Sequence, residues 1–257
     1  MQLNAQYHAF KTILVKEFMR FIRIWVQTVL PAGITMALYF VIFGNLIGSQ
    51  LAEVHGYRYI DYIVPGIILM AVINNSYANV VSSFFSAKFQ RHIEEMLVSP
   101  MPNYLILSGF VAGGVARGLV VGVVVTIVAS FFVELRIESY GMTMLVLLMT
   151  SILFALAGFI NAIYAKTFDD ISIIPTFVLT PLIYLGGVFY SIDMLPDFWQ
   201  SLSLVNPILY MVNAMRYAML GVADINVVMA IVIIICFVIV LFSFSLWLLN
   251  RGIGVRS

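Results

Sequence analysis

The side chains able to do chemistry are few in this chain. Thirteen lysines and arginines, twelve aspartates and glutamates, three histidines and one cysteine are spread over 257 residues. His8, His55 and His92 are scattered and share no ligand-like spacing with Cys236, so no metal site is expected. No serine or cysteine stands in a nucleophile motif, and no GxxxxGK[ST] loop occurs that would cradle the phosphates of ATP. Asp169 and Asp170 are adjacent carboxylates, a pairing that invites metal or acid–base chemistry. Neighbours on a helix point about 100° apart, however, and acidic residues suit a helix start, so capping or a cytoplasmic contact is the expectation.

One charged stretch, Ser86 to Asn103, has a pattern of its own. At helical spacing Arg91, Glu94 and Glu95 fall on one side and Phe89, Ile93, Met96 and Leu97 on the other. Pro100 and Pro102 then stop it, so the spacing predicts a surface helix over 88–99. Val98 sits within the polar face. There it could serve as a contact knob for a soluble partner, the alternative being a solvated connector whose apolar side rests on lipid or neighbouring helices.

The elements that must position this island are apolar. With 63% hydrophobic and 10% charged residues and a mean hydropathy of +1.06, the chain is too apolar for a soluble globule. Six runs match the bilayer core, at 24–47, 62–86, 104–132, 142–165, 171–190 and 227–249. They are too long and too uniform for barrel strands, so the predicted fold is an all-α polytopic membrane protein forming one domain. Cys236 lies in the last run and can form no intrachain disulfide. The first run is long enough to span, so no cleavable leader is expected.

Charge sets the expected orientation. Placing both termini inside puts Lys11, Lys16, Arg20, Arg23, Lys88, Arg91, Lys166, Arg251 and Arg256 on the cytoplasmic side and only Arg58, Arg136 and Arg216 outside. The charged island is then cytoplasmic. Ahead of the first run, residues 8–23 carry a broad apolar face of Phe10, Leu14, Phe18, Phe21 and Ile22 with Trp25, and a basic stripe of Lys16, Arg20 and Arg23. Such a helix is expected in the cytoplasmic headgroup region. The first run itself closes on the pairs Gly44-Asn45 and Gly48-Ser49.

Three intramembrane features stand out. Asn75, Asn79, Ser82, Ser83 and Ser86 make one stripe of the second span polar, for helix packing or for lining a wet path. Gly114, Gly118 and Gly122 form a small-residue stripe in the third span, with Gly109 and Gly113 as a second pair. Arg117 lies near mid-membrane, where an arginine costs roughly 2.5 to 3.5 kcal/mol. It must face protein, water or a polar partner, in either a functional or a structural role. Between the fifth and sixth spans, residues 191–221 read as two short helices broken at Asn206-Pro207, an outer re-entrant segment.

The order of these elements, with the island Phe89-Gln-Arg-His-Ile-Glu-Glu-Met-Leu-Val-Ser-Pro100 and the segment Asn206-Pro-Ile-Leu-Tyr-Met-Val-Asn-Ala-Met-Arg216, resembles the permease subunits of ABC-2 type transporters over nearly the whole chain. The resemblance implies a bacterial inner-membrane homodimer working with two copies of a separately encoded ATPase. ATP and Mg would be held by that partner and no cofactor by this chain. It also implies that the island is the coupling helix, with Arg91, His92, Glu94, Glu95 and Val98 at the contact. Asn206, Pro207 and Arg216 fall in the family's outer re-entrant helices. Lipid is the other partner, and nucleic acid is not expected. An ATP-independent secondary transporter or channel is the alternative, ahead of a membrane enzyme or a purely structural membrane protein.

Overall fold

A computed structural model describes residues 3–48, 53–99 and 101–254. Ser49, Pro100 and Arg256, to which a helix end, a helix stop and an inside anchor are assigned above, lie outside the described residues. Among those described there are helices, turns and a single isolated bridge between Val54 and Tyr57, and no strand.

Helix α1 covers Leu3–Arg23 and α2 covers Trp25–Tyr39, prolonged by a wide π turn over Phe40–Ile47. Then come α3 (Tyr59–Phe89), α4 (His92–Val98), α5 (Asn103–Ala129) and α6 (Tyr140–Tyr164). Two short pieces, α7 (Asp170–Ile174) and α8 (Thr180–Tyr184), flank a π turn at Pro175–Leu179. They are followed by α9 (Asp197–Ser203), α10 (Pro207–Leu220) and α11 (Val227–Arg251). Five stretches are long and apolar enough to cross a membrane: Trp25–Gly44 and the helices α3, α5, α6 and α11.

The fifth run, expected over 171–190, is helical only over Asp170–Tyr184. At 1.5 Å per residue this spans about 22 Å, less than a bilayer core of about 30 Å. Pro175 and Pro181 lack the N–H that would continue a regular ladder, and the chain then turns at Gly186 and Gly187, the latter at φ +72°.

Helix α3 is the centre of the bundle. Its most apolar window is 89% buried within the chain, against 11% for α11, which lies at the rim of the bundle. At 31 residues α3 is about 46 Å long and overshoots the bilayer core, which lets it carry α4 beyond the membrane. Its neighbours come close through small residues. A Cβ on Gly114, Gly118 or Gly122 of α5 would collide with Val80, Ser76 or Val72 of α3, and one on Gly158 of α6 would meet the Tyr77 carbonyl at 2.6 Å. The first glycine stripe therefore packs α5 on α3 within the protomer. The second pair faces elsewhere: Gly109 and Gly113 meet Ile13 and Glu17 of α1.

Candidate functional site

Helix α4 is shorter than the pattern over 88–99 predicts. Residues up to Phe89 continue α3, and the chain reverses at Gln90 and Arg91, whose φ of +61° and ψ of 7° are left-handed. That conformation costs an L-residue roughly 1 to 2 kcal/mol and ends the helix with no glycine or proline to announce it. Phe89 is thereby removed from the face it shares on a helical projection with Ile93, Met96 and Leu97. It is 62% exposed, against the ring of Phe168 at 5.2 Å. Ile93 is buried, while Met96 and Leu97 rest partly buried on the core. His92 and Glu95 are exposed, Glu94 is half-buried, and Val98 is 86% exposed at the end of the helix.

The reversal is braced. The Lys88 ammonium donates to the carbonyls of Ile163 at 2.5 Å and Ala165 at 2.7 Å, satisfying the end of α6. A cavity of about 500 Å³ beside it is lined by Phe85, Lys88, Phe89, Arg91, Glu94, Tyr164 and Lys166. At the start of α7 the Asp170 carboxylate accepts the backbone N–H groups of Lys166 and Thr167 at 2.8 and 3.0 Å, which hold it below the usual carboxylate range. It caps a turn, with Oδ2 accepting both backbone groups.

Within the membrane the polar stripe of α3 is occupied by side chains from α1 and α5. Asn75, Asn79 and Ser83 are all buried. Arg117 donates to Asn75 Oδ1 through Nε at 3.2 Å and Nη2 at 3.0 Å. One turn along, Arg20 Nη2 donates to Asn79 Oδ1 at 2.8 Å and to its carbonyl at 2.9 Å. Ser83 lies within 2.7 Å of both oxygens of Glu17, which is fully buried and 3.5 Å from Arg20 Nε. A charge in so dry a place needs a partner and hydrogen bonds, and Glu17 has both.

Helix α1 lays one side against the bundle. Phe18 and Ile22 of the broad apolar face, with Trp25 at the start of α2, are exposed, whereas Ile13, Glu17 and Phe21 are buried inward. Arg20, expected in the basic stripe, reaches this network while staying partly exposed.

At the far end of α3, residues 191–221 close over a second buried arginine. Asn206 caps α10 by accepting the N–H of Ile208 at 3.0 Å and donates to the Leu182 carbonyl at 2.6 Å. Pro207 is the first residue of α10, where its missing N–H costs nothing. Arg216 is wholly buried. It donates to the Gly187 carbonyl at 2.8 Å, pairs with Asp224 at 3.4 Å and lies 3.8 Å over the Tyr62 ring. Here the chain also gathers His55, Asp193 and Asp224, residues that no sequence spacing connects.

These elements can be set beside known proteins. The family profile described as "ABC-2 type transporter" matches residues 8–220. The chain belongs to the ABC-2 type transporter family. This ABC-2 protein is 55% identical to the inner membrane transport permease YadH of Escherichia coli K12, over 99% of this chain and all of that one. It is 24% identical to nodulation protein J of Rhizobium leguminosarum bv. viciae over 81% of each chain. Nodulation protein J of Rhizobium meliloti is 22% identical over 81% of this chain and 80% of its own. This ABC-2 protein is thus an all-α, multi-pass transporter subunit.

For this ABC-2 chain the sequence singles out Arg117, Arg216 and the polar stripe, and the structure supplies their partners. Glu17, Tyr62 and Asp224 escape a reading by spacing. Glu17 carried one usable signal: it stands four residues from both Ile13 and Phe21, so all three share a face.

Proposed function

We propose that the chain is the permease subunit of an ATP-driven exporter of the bacterial inner membrane. Two copies form the path, each docked through α4 to a separately encoded ATPase that holds ATP and Mg. Both termini and α4 face the cytoplasm. The observation that carries this reading is the pairing of a buried Ile93 with an 86% exposed Val98 on one short helix at the tip of the central α3. An apolar side chain held in water by a braced turn suits a groove on a soluble partner. Family membership and the name of the E. coli relative support transport and the inner membrane.

Closure of the ATPase dimer would push α4, and with it α3 and, through Lys88, the end of α6. In this reading Asn75, Asn79, Ser83 and Arg117 join α1, α3 and α5 into one body that carries the push inward, and they open to the path only where that body separates. Arg91, His92, Glu94 and Glu95 flank the knob and set its charge complementarity.

Co-purification in mild detergent tests the docking. The wild-type chain retains an ATP-binding subunit, and the Val98→Asp, Glu95→Arg double variant, equally monodisperse, loses it. A wild-type chain that brings down no ATPase, and transports under an ion gradient alone, would establish the secondary-transporter reading instead.

A further inference from the structure

The end of the bundle opposite α4 holds a group of ligands that the transport reading does not use. His55 comes from the turn before α3, Asp193 from the short 3-10 turn Ile192–Met194, and Asp224 from the turn before α11. One ligand atom from each lies within 4.8 Å of the other two. We propose that these three residues bind a divalent transition-metal ion, with zinc the best fit.

Geometry comes first. His55 Nε2 and Asp224 Oδ1 are 3.3 Å apart. Two ligands on a tetrahedral zinc, with bonds of about 2.0 Å, are about 3.3 Å apart. The separation is long for a charge-assisted hydrogen bond and right for the edge of a metal polyhedron. Three protein ligands leave the fourth position to water.

The surroundings are also those of a ligand set. Asp224 Oδ2 is 3.3 Å from the Ile192 N–H and 3.4 Å from Arg216 Nη1, and the Tyr62 hydroxyl lies 3.3 Å from both carboxylate oxygens. Such contacts fix the carboxylate and leave Oδ1 turned to His55, the part outer hydrogen bonds play around metals. The imidazole is held in place by stacking on Tyr62, at 5.9 Å between centroids and 25° between planes. Asp193 makes no hydrogen bond or ion pair among the described residues.

Charge agrees. The guanidinium of Arg216 balances Asp224 from the Oδ2 side, and the carboxylate stands between it and the ligand position. Asp193 is the second, unbalanced anion. An imidazole with two carboxylates favours zinc or manganese over magnesium, which prefers an all-oxygen shell with several waters. Bound metal would tie the turn before α3 to the outer re-entrant segment and to the start of α11, and so hold that end of the protein closed.

Zinc titration of the full-length chain, purified in detergent through a tag without histidines, tests the site. We expect one zinc per chain, unaffected by excess magnesium, with binding at least about tenfold weaker in His55→Ala and in Asp193→Asn. Zinc should raise the unfolding temperature of wild type but not of Asp193→Asn, whose exposed side chain can change without disturbing the fold. The absence of saturable zinc binding in wild type would overturn the proposal, as would undiminished binding in both variants, which would place the metal elsewhere. Neither result bears on the docking of an ATPase at α4.

Discussion

The Ser83 hydroxyl lies 2.7 and 2.6 Å from the two oxygens of the buried Glu17 carboxylate, joining the N-terminal helix to the central one. Arg20 on Asn79 adds a second tie between α1 and α3, and Arg117 on Asn75 ties α5 to the same stripe.

Removing Glu17 should therefore cost more than removing a surface charge. Glu17→Ala leaves Arg20 without its anion and Ser83 without an acceptor, a loss of about 3 to 5 kcal/mol. Ser83→Ala removes one hydrogen bond to a charge and should cost about 1 to 3 kcal/mol. Thermal unfolding in detergent measures both, and equal effects would remove the charge from the account.

The two kinds of helical glycine should part company. Gly118→Ala drives a methyl group into Ser76 Oγ and toward Ser151 Oγ at 3.1 Å, for a loss of about 1 to 3 kcal/mol. Gly141→Ala meets nothing within 4 Å and should stay within about 0.5 kcal/mol of wild type. The same unfolding assay checks the contrast.

Arg216 and Asp224 should behave as a unit. Arg216→Met alone strands a carboxylate that is 2% exposed, for about 3 to 5 kcal/mol. The Arg216→Met, Asp224→Asn double variant should lose less than the sum of the two single losses, by about 0.5 to 3 kcal/mol. Strict additivity in this cycle would separate the two residues.

Much of this was legible in the sequence because lipid simplifies the problem. Uniform apolar runs had to be helices, Gly114, Gly118 and Gly122 had to meet a backbone, and Arg117 had to face a polar group. The sequence was opaque where a choice was made by tertiary contact. Nothing at Arg91 signals a left-handed turn, so α4 reads as longer than it is. Two charged residues, Glu17 and Arg20, look like surface residues until α5 and α3 are packed on them. The run over 171–190 has a spanning composition, but its prolines and the Gly186-Gly187 turn cut it short. His55, Asp193 and Asp224 are far apart in the chain, and only the closing of three turns brings them together.

Contact between α4 and an ATPase is the central proposal, and proximity tests it most directly. A photo-crosslinking amino acid in place of Val98 is compared with the same group in place of Val228, an exposed residue at the other end of the bundle. Irradiation of cells should join the chain to an ATP-binding subunit from position 98, in a yield that changes with ATP, and not from position 228. No adduct at 98, or the same adduct from both positions, would contradict it.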